Sequence, residues 1–252
     1  VMLLLFGSFM YAFITNQKKK LQHQKALQTL REQQQNQLIE AAVRSEEIER
    51  HRIAEALHDE VGAILSSTKL HLQGITHVNL TEKELQLFQR SKELLDDGIQ
   101  KVRGISHNLH SNILKEFGLN EAIRHFVKKV VNSDMMEATT ELDDRYVSSN
   151  PENDISIYRM VQELINNVMK HAKANKLHVA SSYSESQLDL NITHNGNGLS
   201  QEQFEKLRYN KDGLGLKNIQ NRVILLRGKI NFDAAPDNNK ITINIPLQST
   251  SL

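Results

Sequence analysis

The sequence predicts a chain in two parts: helices up to about residue 115, then a mixed α/β domain. Three observations carry this. Apolar residues recur at helical spacing from Leu27 to Leu109, as on the buried side of amphipathic helices. The segments Leu177–Tyr183 and Leu188–Thr193 alternate apolar and polar residues and lie about five residues apart, a hairpin pattern, and Lys229–Phe232 and Lys240–Ile245 add two further strands. Only 3 Pro and no Trp, with runs of Leu, Gln, Glu and Lys, favour helix elsewhere.

The 252 residues leave room for one or two domains with a sizeable core. Lys plus Arg is 31 against 30 for Asp plus Glu, a net charge of +1, so direct nucleic-acid binding is not expected. The absence of Cys excludes disulfide frameworks and thiol chemistry and suits a reducing compartment.

Val1 to Ile14 are almost wholly apolar and are followed by Asn16-Gln17-Lys18-Lys19-Lys20. At 1.5 Å per residue the run spans about 21 Å, short of a hydrocarbon core of ~30 Å. Residues 1–16 are therefore expected to be the C-terminal part of a transmembrane helix, its remaining turns upstream of Val1. The Lys cluster after the run predicts a cytoplasmic downstream part and places the protein at the inner membrane. Residues 17–50, with Leu27, Leu30, Leu38, Ala41, Ser45 and Ile48, read as a weak coiled-coil linker helix.

Residues 51–115 read as a helical hairpin. Ile53, Leu57, Ile64 and His71, widened by Val61, Leu65 and Leu72, make one amphipathic helix ending near Gly74 or His77. Thr81 with Glu84 is a capping-box signature for the second, whose apolar side is Leu85, Phe88, Leu95, Ile99, Val102 and Leu109. Two antiparallel helices cannot bury such faces alone, so a four-helix bundle in a homodimer is expected. Residues 116–248 form the second domain: a short helix over Glu121–Val131, a loop with one weak strand, a helix over Glu152–Ala172, then the four strands. Helices layered on an antiparallel-leaning sheet read as α+β or layered α/β.

The first helix carries His58-Asp59. Adjacent residues sit about 100° apart and do not face each other as i,i+4 partners do, yet they can converge on one incoming group. A neutral imidazole nitrogen can attack phosphorus when a carboxylate orients the ring and takes up the proton from its other nitrogen. A helical His beside a solvated Asp is the alternative. On the Glu152–Ala172 helix, i,i+4 spacing puts Glu163 and Asn167 on one face, with Lys170 and His171 on adjoining turns. That face offers a carboxylate, an amide oxygen able to hold Mg²⁺ and cationic donors for phosphate, or is an ordinary polar helix face. Gly196 and Gly198 follow one strand, and Gly213-Leu214-Gly215-Leu216 opens a helix, so backbone N–H groups can approach phosphates or a purine closely. His71, His107, His110 and His178 read as core or surface residues rather than metal ligands.

Taken in this order, the motifs resemble those of bacterial two-component sensor histidine kinases, in the subfamily paired with LuxR-type response regulators, over Ile53 to Pro246. The resemblance implies a Bergerat-type α/β sandwich that binds ATP and Mg²⁺. It implies that His58 is the phosphoacceptor, Asp59 its acid-base partner and Asn167 the Mg²⁺ ligand. Glu163, Lys170 and His171 would complete the N-box, and Gly196, Gly198, Gly213 and Gly215, with Leu214 and Leu216, would complete the nucleotide site. The implied partners are a second copy and a response regulator whose Asp receives the phosphoryl group. A nucleotide-binding pseudokinase scaffold is the alternative. Two positions depart from the family. His194 stands where an Asp accepts a hydrogen bond from the adenine amino group, and Ala63 stands where Gln helps orient a hydrolytic water, which implies weak phosphatase activity.

Overall fold

The computed structural model describes residues 2–75, 81–110, 112–131, 136–148, 150–208 and 214–247. The chain divides into two compact units, Val1–Val43 and Arg44–Leu252. The first consists of helix α1 (Met2–Ala56) up to the division, with Phe6, Tyr11, Phe13 and Ile14 exposed. The transmembrane helix expected here is not found: among the described residues no helix is long and apolar enough to cross a membrane. The apolar run stops at Ile14, and Asn16 to Lys20 continue the helix with polar and charged side chains.

In the second unit the end of α1 passes through a π-helical turn, Leu57–Val61, into α2 (Gly62–Gln73). The Gly74 N–H closes α2 by bonding the His71 carbonyl at 3.2 Å, while His77, the other expected end, lies outside the described residues. Helix α3 (Glu82–Leu109) starts at the expected capping box, with the Thr81 N–H donating to Glu84 at 2.8 Å and the Glu84 N–H donating to Thr81 Oγ1 at 3.4 Å. Lys69 pairs with Asp96 at 2.6 Å across the hairpin, and the buried Ser106 hydroxyl donates to the Ala54 carbonyl at 3.0 Å. These contacts leave much apolar surface unpartnered: Ile64 is 65% and Leu70 68% exposed, and α2 buries no residue.

Helix α4 (Asn112–Val131) is two helical stretches meeting at Gly118, whose φ of 81° is a conformation that favours glycine, and the helix expected over Glu121–Val131 lies in the second stretch. Strand β1 (Glu137–Glu141) is the weak strand expected between α4 and α5. Helix α5 (Pro151–Asn167) is launched by the Asn150 side chain, which accepts from the Glu152 and Asn153 N–H groups, with Pro151 in the first turn. It continues into a π turn, Val168–Ala172.

Strands β2 (Lys176–Ser184), β3 (Gln187–His194), β4 (Lys229–Asp233) and β5 (Asn239–Pro246) join β1 in a sheet ordered β1-β2-β3-β5-β4. The β1–β2 pairing is parallel, and the β2–β3, β3–β5 and β4–β5 pairings are antiparallel. Alternation puts Val179, Leu190, Ile192 and Ile243 on the buried face, in one core with Ile157, Met160, Val161 and Leu164 of α5 and Ile219 of α7 (Leu214–Leu225). Helix α6 (Gln201–Leu207) contributes Phe204, stacked on Phe232 at 4.6 Å.

The end of α1 is tied to this domain by two buried arginines. Arg159 of α5, with a side chain 4% exposed, meets Glu47 in a bidentate pair at 3.0 and 2.7 Å. Its remaining donors reach Gln162 at 2.9 Å and the carbonyls of Asn108 and Leu109, at the C-terminus of α3, at 3.1 and 2.7 Å. Arg222 of α7 donates to Glu46 at 2.9 Å. Burial pushes the Glu47 carboxyl up, but the Arg159 hydrogen bonds and the surrounding guanidinium charges outweigh it and hold Glu47 below its ordinary value of 4.5. A carboxyl lowered on folding stabilises the fold above its unfolded value and loses that contribution as the pH falls through its folded value. The stability gap between wild type and Glu47→Gln in urea unfolding is therefore expected to be full at pH 7 and to shrink below about pH 4.5. A gap that does not change with pH would show that the carboxylate charge does not hold the domain.

Candidate functional site

The His58–Asp59 pair lies in the π turn at the top of the hairpin, where both side chains reach solvent at 74% and 76% exposure. His58 Nδ1 and Asp59 Oδ1 are 3.0 Å apart. The expectation that these neighbours would not face each other is corrected by the π turn. With more residues per turn than an α-helix, it brings successive side chains closer around the axis, and such turns recur at functional sites. The Asp59 contact fixes the ring through Nδ1 and leaves Nε2 as the nitrogen available to an electrophile. Ala63, one turn on, is exposed and brings no polar side chain to this surface.

The second site is a cavity of about 620 Å³ in the sheet domain. It gathers Glu163, Asn167, His171, His194, Gly198, Gly215 and Leu216 from three separate stretches of the chain. Gly196 lines an adjoining cavity together with Gly198. Lys170 is exposed and does not line the cavity, and Leu214, 64% exposed, does not either. Gly213 lies outside the described residues. His58 does not line the cavity, so the His58–Asp59 pair and the cavity are separate sites.

Glycine is required where backbones crowd. A methyl group on Gly196 would run into the Ala172 carbonyl and the Ala174 backbone, and one on Gly215 would meet the Glu163 carboxylate. The turn after β3 is held by its own amides: the Asn197 N–H donates to the Ala172 carbonyl at 2.6 Å, and Asn239 donates to the Gly196 carbonyl at 2.6 Å.

Two polar groups in the cavity wall have no partner among the described residues: Asn167 Nδ2 and His194 Nδ1, both sealed from solvent. A buried unpaired donor or acceptor costs about 1–3 kcal/mol, so such atoms fit a site completed by a ligand. Burial pulls the His194 imidazole below its ordinary 6.5, which keeps it neutral at pH 7. The apolar wall of Leu164, Val168, Leu199, Phe232 and Ile241 suits a flat heteroaromatic ring, and the polar groups at Glu163, Asn167 and His171 suit phosphates and a cation.

Sequence reasoning missed Leu199, Gln203, Leu207, Phe232 and Ile241, which reach the cavity only through tertiary folding. It also missed Arg159 and Arg222; an Arg at a helical position four before Glu163 gives no sign of being buried. Glu163 also borders the space of about 230 Å³ lined by Glu46, Arg159 and Arg222, so α5 forms a wall shared by the cavity and the anchor. The histidines expected to be core or surface residues sit with ordinary neighbours: His71 against the Ser67 carbonyl at 2.8 Å, His178 against Thr139 at 2.8 Å, His107 near His125 and His110 near His51.

Residues 152–249 match the family described as histidine kinase-, DNA gyrase B- and HSP90-like ATPases, which sets the class of the sheet domain. Residues 49–114, the hairpin with His58, match the family described as histidine kinase. The chain is 27% identical over 216 residues to the sensor histidine kinase MctS of Rhizobium johnstonii, covering 83% of this chain and 45% of that protein. It is 26% identical over 247 residues to the signal transduction histidine-protein kinase/phosphatase DegS of Brevibacillus brevis, covering 94% of this chain and 60% of that one. It thus spans about half the length of these curated relatives. Among solved structures, the Acinetobacter baumannii histidine kinase AdeS superposes with a TM-score of 0.44 at 18% identity, over 77% of this chain and 98% of that one. With both domains matched in order, the chain belongs to the bacterial two-component sensor histidine kinases.

The two crowded glycines differ in what a side chain would meet, rigid backbone at Gly196 and the end of a flexible side chain at Gly215. Gly196→Ala is expected to cost about 1–3 kcal/mol of unfolding free energy, the range for overpacking, and Gly215→Ala less. Equal costs in chemical denaturation would mean that the turn after β3 gives way as easily as a Glu side chain.

Proposed function

We propose that the protein is an ATP-dependent protein-histidine kinase that phosphorylates itself on His58 and passes the phosphoryl group to an Asp of a response regulator. The observation that carries this is the 3.0 Å contact between His58 Nδ1 and Asp59 Oδ1 on an exposed turn. Asp59 holds the tautomer with the proton on Nδ1 and the lone pair on Nε2. As the Nε2–phosphorus bond forms, the bond from phosphorus to the ADP oxygen breaks, and Asp59 stabilises the positive charge that develops on the ring. Phosphoryl transfer leaves the protein little covalent work beyond this, so positioning and charge stabilisation carry the rate. General-base help of the Asp59 kind contributes about 10²–10⁴-fold.

The cavity in the sheet domain is the proposed ATP site. Its apolar wall would take the base, the Gly196 and Gly215 segments would follow the phosphates, and Asn167 Oδ1 would hold Mg²⁺, which supplies shielding of phosphate charge when bound. The exposed Ile64 and Leu70 support a homodimer, since a second hairpin would cover them in a four-helix bundle. Because His58 does not line the cavity, the sheet domain must move, or reach the second copy, for transfer to occur. The pseudokinase alternative draws no support from the matched families.

Incubation of the dimer with γ-labelled ATP is expected to give acid-labile, base-stable protein phosphate. His58→Gln should abolish the label while ATP binding survives, and Asn167→Ala should weaken Mg²⁺-dependent ATP binding. Undiminished labelling of His58→Gln, or unchanged Mg²⁺-ATP affinity in Asn167→Ala, would contradict the assigned roles.

A further inference from the structure

The base end of the cavity holds a side chain whose hydrogen-bonding capacity the fold does not use. Alternation along β3 puts Leu188, Leu190, Ile192 and His194 on the buried face, and His194 is the polar residue that ends this row, 6% exposed. It lines the cavity beside Val168 and Ile241. Its Nδ1 has no partner among the described residues.

Two polar residues next to the ring, one across the sheet and one along the chain, are committed elsewhere. Asn239, its register partner on β5, accepts from the Ala235 N–H at 3.2 Å and donates to the Gly196 carbonyl at 2.6 Å. Asn195, next in sequence, accepts from the Asn175 and Lys176 N–H groups at 3.1 and 3.0 Å and donates to the Asn175 side chain at 2.6 Å. An imidazole that lines the cavity, with Asn195 and Asn239 engaged elsewhere, is free to read a ligand.

We infer that His194 sets the base specificity of this cavity and admits 6-oxopurine nucleotides, such as inosine or guanine triphosphates, alongside the 6-aminopurine ATP. This rests on the cavity being the nucleotide site. A carboxylate at this place can only accept, so it rewards the amino group of adenine and repels the oxygen that inosine and guanine carry at the same ring position. A neutral imidazole carries one N–H and one lone pair, and either tautomer is open to it. One tautomer accepts from a 6-amino group; the other donates to a 6-oxo group. Burial supports this by keeping the ring uncharged. The site therefore loses the discrimination that comes from leaving a buried polar group unpaired or facing its own kind.

ATP and ITP differ in what they present at ring position 6 and the adjoining N1, which makes ITP the direct probe. Displacement of a fluorescent ATP analogue from the full chain by ATP and by ITP gives the two affinities. The wild type is expected to bind them within about tenfold, and His194→Asp to widen the ratio in favour of ATP by at least about tenfold, the scale of one hydrogen-bond mismatch. His194→Asn, whose amide can present either a donor or an acceptor, should keep the ratio close to that of wild type. A wild type that binds ATP but rejects ITP by more than about a hundredfold overturns the inference and leaves the ATP site standing. An unchanged ratio in a folded His194→Asp also overturns it. If ATP itself fails to displace the analogue, the nucleotide site falls and the inference with it. Should His194→Asp fail to fold, the wild-type and His194→Asn ratios decide the question.

Discussion

The buried Arg159 side chain is the point on which the arrangement of the second unit turns. Its guanidinium spends its donors on the Glu47 carboxylate, the carbonyls that end α3 and Gln162, so one group ties α1, α3 and α5 together. A buried ion pair gains little over well-packed apolar groups, yet removing one partner costs about 3–5 kcal/mol because a charge is left unpaired. The geometry is therefore specified rather than merely stabilised. Helix α5 carries this anchor in one stretch and Glu163 and Asn167 in the next, so whatever fixes Arg159 also fixes one wall of the cavity.

The parts legible in the sequence are those written in local periodicity. The capping box at Thr81, the β2–β3 hairpin and the closing strands follow from side-chain patterns that repeat every two or 3.6 residues. The weak strand over β1 was legible only as an interruption between helices, since its pattern lasts just five residues. What the sequence hides is whatever depends on distant partners. The short helical stretch before Gly118 was not legible, because its few residues carry too little apolar period to mark it, whereas the stretch after Gly118 contains the helix that the apolar pattern gives. The π turn at His58 has no residue signature, and so the His58–Asp59 contact went against the angular argument from α-helical geometry. The apolar start of α1 reads as a membrane segment only if further turns are assumed, and among the described residues no helix is long and apolar enough to cross a membrane.

At the cavity, the residue types were legible and their grouping was not. Glu163, Asn167, His171, His194, Gly198 and Gly215 converge, whereas Lys170 and Leu214, which share the same motifs, turn to solvent. The π turn Val168–Ala172 accounts for part of this, because it rotates the last residues of the helix away from the α-helical positions that i,i+4 spacing assigns. Two groups in the wall have no partner among the described residues, and His58, the proposed acceptor, stands on a different element. On the proposed reading, binding and acceptance are separate surfaces that domain movement must bring together.

The most direct test of this arrangement is which nitrogen of His58 takes the phosphoryl group. Phosphorus and nitrogen NMR of the dimer after reaction with ATP distinguishes the two imidazole positions by their couplings and by the tautomer of the remaining nitrogen. Phosphorus on Nε2, with Nδ1 still protonated towards Asp59, is the expected result. Phosphorus on Nδ1, or none on His58, would contradict the role given to the His58–Asp59 contact.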